Sequence, residues 1–251
     1  MAYSSDTMDD YQKLFSLIKE KAPVDSSRYS DPRELMLLPF PFRGRKPTDR
    51  FTIGDDKSFG YMGREEFARI LSEIETLNYE RGFSLMYIYG TIGYGKSHIL
   101  AAMACYLLQK GFRVVYLPDC RILIADPLTY IKSALLLTFG DCPTIQEEII
   151  RCSSVQDIKS FCKKVTEGLL YFIIDQINAL DLEDDNKDRI TNEEKKQVSR
   201  DLAEITFSHH RITSASANHQ SAKHVSQKQM SEIKYGLLGG LTEVRMSFAK
   251  W

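Results

Sequence analysis

An α/β fold built on a mostly parallel central sheet is predicted by three observations. Short apolar runs recur at residues 85–89, 113–117, 169–174 and 211–215. The first three end at Gly90, Pro118 and Asp175, and each of the four has the length of a strand. Amphipathic stretches of helical period separate these runs. A glycine-rich octapeptide joins the first run to the helix behind it. Strands alternating with helices make a parallel sheet covered on both faces.

Taken in order, residues 7–21 predict a short helix with Leu14, Phe15, Leu17 and Ile18 on its apolar side. Residues 22–60 hold Pro23, Pro32, Pro39, Pro41 and Pro47 and read as irregular. A basic cluster of Arg43, Arg45, Lys46 and Arg50 lies there, read either as a solvated loop or as a contact to nucleotide or nucleic acid. Phe67, Ile70, Leu71, Ile74 and Leu77 mark the next helix. Residues 97–110 form a helix closed by Gly111, residues 130–139 another, and residues 145–167 one or two more. Residues 181–196 are charged and loop-like, and residues 195–207 are helical. Residues 236–251 carry a Gly-Gly pair, Gly239-Gly240, and then an amphipathic stretch. The domain boundary expected from this pattern separates an N-terminal extension, 1–59, from a sandwich domain, 60–251.

Composition narrows the function classes. Of 251 residues, 43% are hydrophobic and 27% charged, which suits a packed core. A formal net charge of -1 argues against a chain that coats nucleic acid. No run of about 18 apolar residues offers a membrane span, and residues 1–10 lack the basic and apolar regions of a secretory signal. The five cysteines, Cys105, Cys120, Cys142, Cys152 and Cys162, have no close pair of zinc or redox spacing. They read as reduced thiols, which suits an intracellular working site.

The octapeptide Gly90-Thr91-Ile92-Gly93-Tyr94-Gly95-Lys96-Ser97 fits GxxxxGK[ST], the phosphate-binding P-loop. Its glycines let successive N–H groups turn toward phosphate oxygens. The helix that starts near Lys96 adds its positive end. Lys96 offers a cation to the outer phosphates, and the Ser97 hydroxyl is placed to hold Mg²⁺. The flanks, strand before and helix after, are those the motif requires.

Magnesium in such a site also needs a carboxylate. Asp175 closes the apolar run 169–174, where an uncompensated charge would be costly. Gln176 follows it, and an amide can orient water but is a poor base. Slow hydrolysis is therefore expected, with a nucleotide-gated interaction switch as the alternative. Asp119, at the end of the second strand, reads mainly as a cap, with a place near the phosphates as the alternative. Ser216 and Asn218, at the tip of the fourth strand, are candidates for sensing a terminal phosphate, with a turn role open for Asn218. His209, His210, His219 and His224 lack metal-ligand spacing and read as structural.

With these motifs placed, the chain resembles the P-loop ATPase module of Crinkler-type effector proteins of fungi and oomycetes. The resemblance is carried by residues 89–98 (Tyr-Gly-Thr-Ile-Gly-Tyr-Gly-Lys-Ser-His), 114–120 (Val-Val-Tyr-Leu-Pro-Asp-Cys) and 126–139, and by Ile-Ile-Asp-Gln-Ile-Asn-Ala-Leu-Asp at 173–181 and Ser-Ala-Ser-Ala-Asn at 214–218. It spans roughly residues 60–251. It implies a P-loop NTPase sandwich, three-layer α/β/α, of the additional-strand type, with ATP and Mg²⁺ as ligands. Tyr61-Met62-Gly63-Arg64-Glu65 is similar to the Gly-Arg-Glu box that lines the adenine pocket in signalling-type relatives, which implies a nucleotide contact for Arg64. The family also implies entry into host cells, often the nucleus. Residues 1–60 carry no header like Leu-Phe-Leu-Ala-Lys, and the chain stops at Trp251, ahead of any nuclease-like domain or helical lid. The expectation is a nucleotide-binding module whose partners are nucleotide and a protein or a second copy, without nucleic acid or membrane.

Overall fold

The structure is a computed structural model, and it describes residues 5–77, 85–90, 93–165, 169–182, 190–216 and 233–237. Helix α1 (Ser5–Lys21) buries Tyr11, Leu14, Phe15 and Ile18, positions that fall on one stripe at helical spacing. It lies against α4 and α6, both described below.

Residues 22–60, expected to be irregular, contain regular structure. Asp25 caps a short helix α2 (Ser26–Ser30) by accepting from Ser27 N. Strands β1 (Leu35–Pro39) and β2 (Ser58–Met62) pair antiparallel, with Leu37 opposite Gly60. Met36 and Leu38 point inward while Leu35 and Leu37 are exposed, the alternation of a half-buried strand. The prolines mark where these elements stop: Pro39 is the last residue of β1, a position where its missing N–H costs little. Helix α3 (Glu65–Glu75) follows and buries Phe67, Ile70, Leu71 and Ile74.

The sandwich starts at β3 (Leu85–Gly90). Helix α4 (Lys96–Gln109) returns the chain to β4 (Val114–Leu117). Four helices then intervene: α5 (Cys120–Ala125), α6 (Pro127–Thr138), α7 (Pro143–Arg151) and α8 (Val155–Lys164). Strand β5 (Tyr171–Ile174) leads through a 3-10 turn, Ile177–Leu180, and helix α9 (Asn192–Ile205) to β6 (His210–Ser216). Strand β7 (Ile233–Leu237) completes the sheet.

All neighbouring strands run parallel, in the order β4–β5–β6–β3–β7. Strand β6 is inserted between the P-loop strand β3 and the aspartate strand β5, which makes this a P-loop NTPase α/β/α fold of the additional-strand type. Every residue of β4 is buried, as expected where both faces of a parallel sheet are covered.

Helix α4 is buried nearly all round, from Ile99 through Leu108. The sheet covers one side of it, and α1, β1, β2 and α3 cover the rest. That accounts for its lack of a polar stripe: a helix with no solvent face needs none. The N-terminal segment and the sandwich share one hydrophobic core.

Candidate functional site

In an open parallel sheet, groups at the carboxyl ends of the strands converge. Here β3 ends at Gly90, β4 runs into Pro118 and Asp119, β5 into Asp175, and β6 carries Ser214 near its end. Between them and the start of α4 lies a cleft of about 320 Å³, lined among others by Gly93, Lys96, Ser97, Asp175 and Gln176.

The loop is shaped by its glycines. Gly95 caps α4 in the left-handed region (φ 73°, ψ 23°), and Gly93 also has positive φ (87°). A side chain at Gly95 would also push the Arg64 guanidinium away from the loop. Lys96 is buried, and its Nζ donates to the Gly90 carbonyl at 2.5 Å, reaching back across the loop. Burial lowers its pKa, and the Asp175 carboxylate opposes that shift. Arg64 Nη1 donates to the Tyr94 carbonyl at 2.6 Å, so its guanidinium lies against the loop itself.

Asp175 is 1% exposed. Its backbone N–H continues the β4–β5 ladder to Leu117 O at 2.9 Å. Its Oδ1 accepts from Gln176 N at 2.9 Å and from the Ser214 hydroxyl. Its Oδ2 accepts from Arg50 Nη1 at 2.9 Å, and the same nitrogen lies 3.2 Å from Ser97 Oγ. Ser97 and Asp175, expected to share a magnesium ion, thus address one point, and a cationic nitrogen stands there. Gln176 takes a left-handed backbone (φ 58°, ψ 46°), uncommon outside glycine, and starts the 3-10 turn at the rim of the cleft.

Of the expected site residues, Gly90, Gly93, Tyr94, Gly95, Lys96, Ser97, Asp175, Gln176 and Arg64 come together at this edge. Thr91, Ile92 and Asn218 lie outside the described residues, as do His219 and His224. The Ser216 backbone ends β6. Three further participants meet here: Ser214, which holds Asp175 and has no signal in the sequence; Asp119, read mainly as a cap, whose Oδ2 accepts from Arg50 Nη2 at 2.7 Å; and Arg50, read only as one of a basic cluster. The sequence groups Arg50 with a basic cluster that the fold disperses, since Arg43 pairs with Asp10 at 2.5 Å. A charge whose partners lie 47 to 125 residues away in sequence leaves no local pattern. Asp119 does cap α5, as expected, accepting from Arg121 N at 2.9 Å.

All five cysteines are free thiols, and burial pushes Cys162 up to about 12. Among the described residues no helix is long and apolar enough to cross a membrane, and no cluster of three His, Cys, Asp or Glu side chains could hold a metal.

No family model matches the chain, and no curated protein matches it. Among solved structures, AMPPCP-bound DnaA from Aquifex aeolicus is similar at 19% identity and a TM-score of 0.40, over 83% of this chain and 55% of that one. A structure described as a DNA replication initiation factor is similar at 17% identity and a TM-score of 0.41, over 83% of this chain and 54% of that one. The chain spans about half the length of these structures. Its fold class is fixed by its own strand order and phosphate loop.

Proposed function

We propose that the chain is a Mg²⁺-dependent ATP-binding P-loop protein that hydrolyses ATP slowly. The observation that carries this reading is the convergence of Ser97 Oγ and Asp175 Oδ2 on one cationic nitrogen, directly beside a phosphate loop with two left-handed glycines. Gly90, Thr91, Ile92, Gly93, Tyr94 and Gly95 would present the loop N–H groups to the phosphates. Lys96 would exchange the Gly90 carbonyl for phosphate oxygen. Ser97 and Asp175 would hold magnesium, whose chemistry is to neutralise charge on the outer phosphates. Gln176 and Asn218 would orient water or sense the terminal phosphate, and an amide in place of a carboxylate is the reason to expect slow turnover. Arg64, whose guanidinium donates to the Tyr94 carbonyl, would meet the nucleotide. The chain's resemblance to the ATPase module of Crinkler-type effectors belongs to the same reading, and with it ATP as the nucleotide and work inside a host cell.

The test is thermal stability of the parent and of Lys96→Ala, with and without Mg-ATP. A ligand that binds only the folded state at a hundredfold excess over its Kd stabilises by about 2.7 kcal/mol. The parent is expected to shift and the variant not to. A folded parent that shifts with no nucleotide would sink the reading. A parent that binds ATP but releases no phosphate would be a nucleotide-gated switch instead.

A further inference from the structure

The Arg50 guanidinium ties together both groups assigned to the metal. Its Nη1 takes Ser97 Oγ and Asp175 Oδ2, and its Nη2 takes Asp119 Oδ2 at 2.7 Å and the Pro118 carbonyl at 3.1 Å. Asp119 and Asp175 are each about 1% exposed and the Arg50 side chain 15%, so these charges compensate one another away from water. A divalent cation shared by Ser97 and Asp175 would need the same two oxygens and would repel the guanidinium. The two occupants exclude each other.

The surroundings are built for an exchange. Phe51 next to Arg50 is buried, stacked on His98 at 4.6 Å and edge-on to Phe40 and Phe59. The backbone N–H groups of Arg50 and Phe51 both donate to the Pro47 carbonyl. The main chain is therefore anchored, and only the side chain needs to swing. Once it leaves, Asp119 still has Arg121, whose Nε and Nη2 reach it at 3.1 and 2.7 Å. Asp175 Oδ1 still has Gln176 N and the Ser214 hydroxyl. The atoms set free are the Pro118 carbonyl and the pair a cation would take, Ser97 Oγ and Asp175 Oδ2.

We propose that Arg50 is an autoinhibitory latch, a resident cation in the metal position that Mg²⁺ with nucleotide must displace before the site can load. Asp119 is its anchor, not a metal ligand. The proposal rests on the nucleotide-site reading above, and the experiment separates the two. In the full chain, the Mg²⁺ concentration giving half-maximal thermal stabilisation at fixed ATP is measured for the parent, Arg50→Ala and Asp119→Asn. Binding of Mn²⁺ alone is followed in parallel by loss of its free-ion EPR signal. Asp119→Asn keeps an oxygen to cap Arg121 N and keeps the guanidinium, so it carries the test if Arg50→Ala does not fold without metal.

A latch closed about nine-tenths of the time weakens apparent affinity about tenfold. The Mg²⁺ half-point is therefore expected to fall about tenfold in Arg50→Ala and severalfold in Asp119→Asn, with Mn²⁺ alone bound more tightly by both. An unchanged or raised half-point and unchanged Mn²⁺ binding in the variants would overturn the latch. If ATP stabilises no variant and not the parent, the nucleotide reading fails on its own, and the ranking with Mn²⁺ alone still decides the latch.

Discussion

His209 shows how one side chain can be decided by its surroundings. The Leu170 N–H donates to its Nδ1 at 3.3 Å, so the ring's hydrogen is on Nε2 and points to the Cys162 carbonyl at 3.1 Å. It joins the end of α8 to the start of β5. Burial lowers its pKa, and the neighbouring His210 is lowered as well, by burial and by the His209 charge. A histidine whose folded pKa lies below its unfolded value of about 6.5 binds fewer protons folded than unfolded as the pH drops. Stability is thus complete above about pH 6.5 and is lost toward the folded pKa, at up to about 1.4 kcal/mol per pH unit per histidine. Denaturant unfolding at several pH values below 6.5 is expected to show a shallower loss in His209→Gln than in the parent. Equal slopes would mean His209 does not carry the proton linkage. At the same scale, the Gly95-Lys96-Ser97 triplet and Asp175 could be read directly, since their chemistry is local to a motif. Arg50 and Ser214 could not, because what defines them is the partner each meets across the fold.

At the scale of elements, those with strong periodic patterns were legible: α1, α3, α4, α9 and strands β3 to β6 fall within a few residues of expectation. Helix α9 owes its start to a capping box, in which Thr191 Oγ1 accepts from Glu194 N and the Glu194 carboxylate accepts from Thr191 N. Thr191→Ala is expected to cost about 1 kcal/mol in chemical denaturation. Because the cap is exposed and distant from the phosphate loop in sequence, the ATP-induced shift should persist; loss of both together would mean α9 also supports the site. Other elements escaped the pattern for physical reasons, β1, α5 and β7 among them. Strand β1 hides among prolines, and its single inward pair, Met36 and Leu38, is too short a signal. Strand β7, Ile-Lys-Tyr-Gly-Leu, alternates over only five residues with a glycine among them, too short a signal, and is held by pairing with β3. Helix α5 is six residues long and is set by its Asp119 cap.

Across the whole molecule, the N-terminal segment completes the core. Tyr29 packs edge-on to Tyr106 of α4 at 5.4 Å, Phe42 lies 4.6 Å from Tyr130 of α6, and the Tyr11 hydroxyl meets that of Ser133 at 2.8 Å. A chain lacking residues 1–59 would expose the apolar surface of α4 and lose Arg50 together with its Phe51 anchor. It is expected to lose cooperative melting and near-ultraviolet ellipticity and to bind hydrophobic dye. A sharp melt close to the parent's would instead establish residues 60–251 as an independent domain. The sequence alone determined the α/β class, the phosphate loop and its flanking strand and helix, and the aspartate that closes β5, because hydrophobic period and motif spacing are written in neighbouring residues. Only the tertiary structure decided the strand order, the covering of α4 by the first sixty residues, and the seating of Arg50 between Ser97, Asp119 and Asp175. Those outcomes come from burial and charge compensation between segments far apart in the chain, and no local pattern encodes which distant group will arrive.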